Sequence, residues 1–215
     1  MKSTGTLFAA VVAAAVTSAG AQSINIDFGT ANATPAAGYS AAAGLGGTGF
    51  WNAYAGGPMA LADLSGSPTG AAISGGATGF LGSSNDPATL GDDDLMVDDF
   101  IGIPFIDTWT VTGLAAGTYD VYGYTWTFTA LPSGFDVNGQ GVQAVGGAWP
   151  GSFQPGLYSL HTVTLAASQP LVVNLYSING AIGVISGLQI VQVPAPSAAA
   201  LVACSALASC RRRRR

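Results

Sequence analysis

The stretch GLAAGTYDVYGYTWTFTA, residues 113–130, decides how the chain is read. Its opening Gly-Leu-Ala-Ala-Gly is a turn, and from Tyr119 the side chains alternate. One side of a strand over 119–128 carries Tyr119, Val121, Gly123 and Thr125; the other carries Asp120, Tyr122, Tyr124, Trp126 and Phe128. Successive residues of a strand point to opposite faces, so this is a period of two rather than a helical period. Immediately upstream, DTWTVTGL (107–114) sets Trp109 and Val111 on one face and threonines on the other, and SINIDFG (23–29) alternates as well. Downstream, Asn138-Gly139 after Val137 marks a tight hairpin. LYSLHTVTL (157–165), LVVNLYS (171–177) and GVISGLQIVQV (183–193) are further strand-like runs separated by turn residues. No long window has helical periodicity. The pattern predicts an all-β domain, a β-sandwich over residues 22–192, and about 170 residues are enough for one with a real core.

Charge is distributed unevenly. Charged residues make up only 8% of the 215-residue chain, against about 25% in ordinary soluble domains. All eleven acids are aspartates, and there is no lysine or arginine between Lys2 and Arg211, so the stretch from Gln22 to Cys210 carries −11 with His161 neutral. Such a body repels nucleic acid and anionic lipid headgroups. It has no lysine or arginine for an internal salt bridge, and its stability must come from apolar burial and backbone hydrogen bonds.

The two ends are read as sorting segments. Lys2, the apolar run LFAAVVAAAV (7–16) and the small-residue site AGA (19–21) fall in the order of a secretory signal peptide, residues 1–21, which implies a translocon and a signal peptidase as partners and a mature start at Gln22. At the other end, VPAPSAAALVACSALASCRRRRR occupies 193–215. Proline stops the last strand at Val193, and Ser197 can cap a helix beginning at Ala198. Fourteen residues of helix reach about 21 Å, short against a bilayer core of roughly 30 Å, and the arginines behind it act as a stop on the cytoplasmic side. Cys204 and Cys210 lie inside this segment and are read as small apolar residues.

A Pro-x-Pro tripeptide, a short apolar helix and a terminal arginine cluster resemble the PEP-CTERM sorting signal of bacterial envelope proteins. The resemblance implies processing near the prolines by an exosortase, a membrane enzyme resembling cysteine transpeptidases. It places Pro194 and Pro196 on the two prolines, Ala198 to Cys210 on the helix, and Arg211, Arg212, Arg213, Arg214 and Arg215 on the basic end. Ala195 stands where the family has glutamate. A nucleic-acid-binding tail, a simple tail anchor and an arginine tag are the other readings of the same residues.

The body also resembles a family. GFWNAYAGGPMALADLSGSPTGAAIS (49–74), DPATLGDDDLMVDDF (86–100), GLAAGTYDVYGYTW (113–126), GGAWPGSF (146–153) and GVISGLQIV (183–191) together are similar to galactose-binding-like, or malectin-like, jelly-roll domains of secreted bacterial proteins. That resemblance implies a jelly roll, a fold that hosts many roles. If the second face of the 119–128 strand meets solvent, Tyr122, Tyr124, Trp126 and Phe128 form a platform for sugar rings, with Asp120 as a polar handle. Trp51 and Trp149, in glycine-rich loops, are further platform candidates. The competing reading puts the same rings in the core.

The acidic run holds Asp86, Asp92, Asp93, Asp94, Asp98 and Asp99. Calcium takes six to eight oxygen ligands, and a bound cation at Asp92, Asp93, Asp94, Asp98 and Asp99 would relieve their repulsion; calcium is the one cofactor suggested. The spacing is not that of an EF-hand, and the alternative is a solvated acidic loop. No catalytic constellation is found. His161, on a strand beside Val163 and Leu165, reads as structural, and there is neither a Gly-x-Ser-x-Gly elbow nor a zinc cluster. The expectation is therefore a non-enzymatic, exported envelope or matrix protein, transiently held in the membrane, whose sandwich binds carbohydrate such as exopolysaccharide. An aspartate-based glycoside hydrolase or lyase and a purely structural or adhesive surface protein are the alternatives.

Overall fold

A computed structural model describes residues 22–29, 31–125, 132–178, 180 and 182–195. The predicted signal helix, the tail from Pro196 onward, and Trp126 and Phe128 lie outside the described residues. Along the chain come β1 (Ile24–Phe28), β2 (Trp51–Tyr54), β3 (Met59–Ala62), β4 (Pro68–Gly75) and β5 (Phe80–Ser83), then the short helix α1 (Asp92–Val97). There follow β6 (Asp99–Ile103), β7 (Ile106–Thr112), β8 (Gly117–Tyr124), β9 (Ser133–Val137) and β10 (Gln143–Val145). The last four are β11 (Tyr158–Leu165), β12 (Leu171–Ser177), β13 (Gly183–Ile185) and β14 (Gly187–Val193).

The strands form a sandwich, as the alternation predicts. The first sheet has the order β11-β8-β14-β1-β2, the second β10-β9-β12-β7-β4-β3, and a small third sheet β13-β6-β5. All pairings are antiparallel except β1 with β2. The run 183–193, read as one strand, is broken at Ser186: its first part pairs with β6 in the third sheet and its second part with β8 and β1 in the first.

The period-two faces sort as written in the sequence. Ile24, Ile26, Phe28, Tyr119, Val121, Val163, Leu188 and Ile190 of the first sheet meet Ile73, Trp109, Val111, Phe135, Val173 and Leu175 of the second in one buried cluster. The third sheet adds Ile101, Ile103 and Ile185. Phe28 packs edge-on against both Tyr54 and Trp109, at 5.2 and 5.6 Å between ring centres. Each such large side chain taken out of water contributes about 1.5–3 kcal/mol, and with no lysine or arginine in the body this cluster carries the fold.

The predicted hairpin is present. Asn138 and Gly139 have φ of 51° and 75°, the left-handed pair of a type I′ turn that matches strand twist, and Gln140 N–H donates to the Val137 carbonyl at 3.1 Å. The hairpin then closes one side of the sandwich through side chains. The Gln143 amide accepts from Leu160 N–H at 3.0 Å and donates to Leu160 O at 2.8 Å, while Gln140 donates to Thr162 O at 2.7 Å. These amides occupy backbone groups on the outer edge of β11, an edge otherwise open to pairing with another chain.

Two expectations are corrected. The acidic run is not a solvated loop: residues 92–97 form a helical turn, and Asp98 and Asp99 are 1% and 0% exposed. Trp51 is not in a loop. It begins β2 and is buried.

Candidate functional site

The outer face of the first sheet is built in rows by strand register. Tyr124 of β8 stands between Tyr158 of β11 and Gly187 of β14; Tyr122 stands between Leu160 and Gln189; Asp120 stands between Thr162 and Val191. At the Tyr124 end this face is covered. Met96 of α1 lies over Gly187, which has no Cβ to exclude it: a Cβ there would stand 3.1 Å from Met96 Sδ. Trp51, Met96, Val97, Tyr124 and Leu157 form a second, smaller buried cluster, with Tyr39, Ala41, Ala42, Tyr122, Trp149, Phe153 and Tyr158 packed around it.

Polar groups lock the cover in place. Tyr124 hydroxyl donates to Gln189 Oε1 and accepts from Ala42 N–H at 3.1 Å. The Gln189 amide donates to Asn25 Oδ1 at 2.9 Å, and the Asn25 amide to Gly47 O at 2.7 Å. The chain over residues 39–47 is thus hydrogen-bonded down onto β14 and β1. Tyr39 donates to Asp93 and stacks at a tilt on Trp51, 5.8 Å between ring centres. Burial, and then its bond to Asp93, pushes the Tyr39 phenol far above its ordinary value; burial does the same to Tyr124.

The platform candidates therefore divide. Tyr122 and Tyr124 share the face away from the main core, as alternation requires, but Tyr124 is fully buried beneath the cover and Trp51 is 3% exposed, so neither can meet a ligand. Tyr122 and Trp149 remain partly exposed, as does Asp120. Two rings not singled out in the sequence complete the surface. Tyr158 lies 5.8 Å from Tyr122 and 6.2 Å from Tyr124, and Phe153 stands edge-on to Tyr124 at 4.8 Å and to Trp149 at 5.0 Å. Beside the rings, Thr162 hydroxyl donates to Asp120 Oδ1 at 2.6 Å. Burial, and secondarily the Asp120 charge, raises the Tyr122 phenol, so it stays a neutral hydroxyl at physiological pH. The result is a shelf of partly exposed rings, Tyr122, Tyr158, Phe153 and Trp149, ending in a carboxylate and an exposed threonine.

The acidic run has a different geometry from the one its composition suggests. Asp92 accepts from Ala36 N–H at 2.8 Å, and Asp93 takes the Tyr39 hydroxyl. Asp94 and Asp98 share the Thr89 hydroxyl at 3.2 and 3.3 Å, and Asp98 also accepts from Asp86 N–H. Asp99 accepts from Asn32 N–H at 3.1 Å. The carboxylates fasten loop positions spread over Ala36, Tyr39, Thr89, Asp86 and Asn32, and among the described residues no three Asp, Glu, His or Cys side chains converge on one point. Burial, and then proximity to Asp94, pushes Asp98 up to about 6. His161, 3% exposed, meets the Gly141 carbonyl at 3.1 Å through Nε2, in keeping with the structural role read for it.

Among the described residues no helix is long and apolar enough to cross a membrane. No protein-family model matches the sequence, and no similar curated protein is found. Solved structures to which the chain is similar include the YXIM protein of Bacillus subtilis, at 13% identity and a TM-score of 0.47, over 80% of this chain and 40% of that one. A second is Bacteroides uniformis beta-glucuronidase 2 covalently bound to cyclophellitol-6-carboxylate aziridine, at 12% and 0.48, over 80% and 18%. A third is the ANX2 ectodomain from Arabidopsis thaliana, at 11% and 0.48, over 80% and 42%. The chain thus spans less than half the length of each.

Proposed function

We propose that residues 22–193 form a carbohydrate-binding domain of the galactose-binding-like jelly-roll kind, exported to a bacterial envelope and engaging polysaccharide across the shelf of Tyr122, Tyr158, Phe153 and Trp149. The observation that carries this reading is the conjunction on one sheet face of four partly exposed rings with the Asp120–Thr162 pair. Aromatic faces stack on the apolar faces of sugar rings, and a carboxylate with a hydroxyl orients sugar hydroxyls. The role is binding without chemistry. The three strongly buried carboxyls Asp27, Asp98 and Asp99, each at 1% exposure or less, are closed to a polymer. The sorting role rests on the tail. β14 ends at Val193, and Pro194 and Ala195 are already exposed, so a cut by an exosortase-type enzyme near Pro194–Pro196 leaves β14 whole.

A glycan array probed with residues 22–193 and with the Tyr122→Ala and Trp149→Ala variants tests the binding role. Retention of one glycan class that both variants lose is the expected result. Equal retention by parent and variants, or none by the parent, overturns it. Intact mass of the protein recovered from the envelope tests the sorting role: Arg211 to Arg215 still attached to the mature protein would sink it.

A further inference from the structure

The edge of a sheet is a row of unpaired N–H and C=O groups with which another chain can pair. Three strands of this protein have such groups met by side chains that stand in for a neighbouring strand. Gln143 donates to and accepts from Leu160 of β11. Asn52 does the same for Ala62 of β3, at 2.9 and 2.8 Å. Ser133 Oγ takes the Val184 N–H of β13 at 2.8 Å. β5, the outer strand of the third sheet, is left open. Ser84 N–H donates to Asp98 O at 2.6 Å, and bonded pairs alternate with unbonded ones along an antiparallel ladder. Phe80 and Gly82 therefore bond to their β6 partners Gly102 and Phe100, while the N–H and C=O groups of Leu81 and Ser83 point away from the sheet. Among the described residues nothing bonds to them. Phe80 is 46% and Leu81 51% exposed. The middle of the strand is bare: Gly82 has no side chain, and the Phe100 ring fills the space beside it, where a Cβ would stand 2.4 Å from Cε2.

We propose that β5 pairs with β5 of a second copy of this chain, antiparallel about a twofold axis, so that two three-stranded sheets become one. The edge is complementary to itself. Leu81 of one copy stands opposite Ser83 of the other, each donating and accepting, and Gly82 faces Gly82 at an unbonded position, where antiparallel backbones come closest. Phe80 and Phe100 of both copies then share one face of the joined sheet. Charge selects the same edge. Two bodies of −11 repel each other, but Leu64 to Asn85 contains no charged residue, and Asp99, opposite Ser83, is buried. A cationic partner would be drawn to the aspartates instead. Exposed edges are ordinarily guarded by a charge, most often lysine, or by proline, and β5 carries neither. The pairing is independent of the sugar shelf, which lies on the first sheet; each pair would carry the shelf twice, a gain in avidity without a new contact.

Sedimentation of the full chain from about 1 µM to about 1 mM, the range of a small transient interface, is the test, with Leu81→Lys and Ser83→Pro as variants. The parent should rise from one to two chain masses, and both variants should stay at one. Lysine puts like charges across the twofold axis. Proline removes an N–H that β6 does not use. At about 1 µM the thermal midpoints of the variants should lie within about 2 °C of the parent's, which separates loss of the edge from loss of the fold. Amide hydrogen exchange over residues 80–84 should slow about tenfold in the concentrated parent and in neither variant. A parent that stays monomeric throughout overturns the proposal. A dimer that survives in both variants is held elsewhere on the chain and overturns it equally.

Discussion

The first sheet packs rings on both of its faces, by different means. On the inner face Tyr119 and Val121 of β8 meet a second sheet, strand against strand, and the cluster is apolar from end to end. On the outer face Tyr124 and Trp51 are covered by one helical turn and two loops, and the cover is fastened by hydrogen bonds through Tyr124, Gln189 and Asn25. The inner face is closed chiefly by packed apolar side chains, with few hydrogen bonds across it, such as that of the Tyr54 hydroxyl to Gly75 O at 3.1 Å. The outer face is closed in part, and where the cover stops, Tyr122, Tyr158, Phe153 and Trp149 stay accessible. A buried core and a partly open aromatic surface are thus made from one strand by covering one side less.

The comparison breaks if the inner rings are not the more costly to remove. Trp109→Ala, which empties a site of zero exposure in the main cluster, should lower unfolding free energy by about 3–5 kcal/mol in urea denaturation. A loss as small as that of a surface change would mean the two faces are alike. The buried Asp27 carboxyl responds next. Asp27, pushed up to about 9 from 3.8, holds a proton in the folded state that the unfolded chain gives up. Stability is therefore complete below about pH 4 and falls as pH rises towards 9, by up to about 1.4 kcal/mol per unit for this one group. Urea titrations in chelator between pH 6 and 8 should show that decline, and D27N should flatten it.

Smaller effects sharpen the account of the cover. Tyr124→Phe keeps the ring and removes the hydroxyl between Ala42 and Gln189; leaving those buried partners unmet should cost about 1–3 kcal/mol. Faster amide hydrogen exchange over residues 39–47, with the inner strands unchanged, would locate that loss in the cover. Tyr122→Ala, at the accessible margin, should cost about 1 kcal/mol or less of stability while abolishing retention on the glycan that the parent binds. A large stability loss with affinity intact would turn the shelf into ordinary core.

The strands were legible because each fact needed lies within a few residues: the alternation of Tyr119 to Tyr124, the threonines opposite Trp109 and Val111, the Asn138-Gly139 turn. What covers a face is not local. Tyr124 and Tyr122 sit two residues apart on the same side of one strand, and nothing in their sequence says that Ala42 and Phe153 reach the first more fully than the second. Trp51, framed by glycines, reads as a loop residue, yet parallel pairing with β1 buries it. Tyr158 was written in an alternating run, but its place beside Tyr122 depends on β11 pairing with β8. The acidic run misled for a related reason. Composition shows six nearby aspartates; only the fold shows that they fasten several loop positions, Ala36, Tyr39, Thr89 and Asn32 among them, rather than one point.

β14 lies third of five in its sheet, bonded to β8 along one edge and to β1 along the other. A pull on the chain beyond Val193 runs along that strand's axis, so the rungs of both ladders are strained in shear at once instead of peeling one after another. The strand beside it carries Tyr122. Under the proposed roles of shelf and tail, a pull on Tyr122 and a pull beyond Val193 load adjacent strands, and tension crosses the domain through the β8–β14 ladder without passing through the sandwich core.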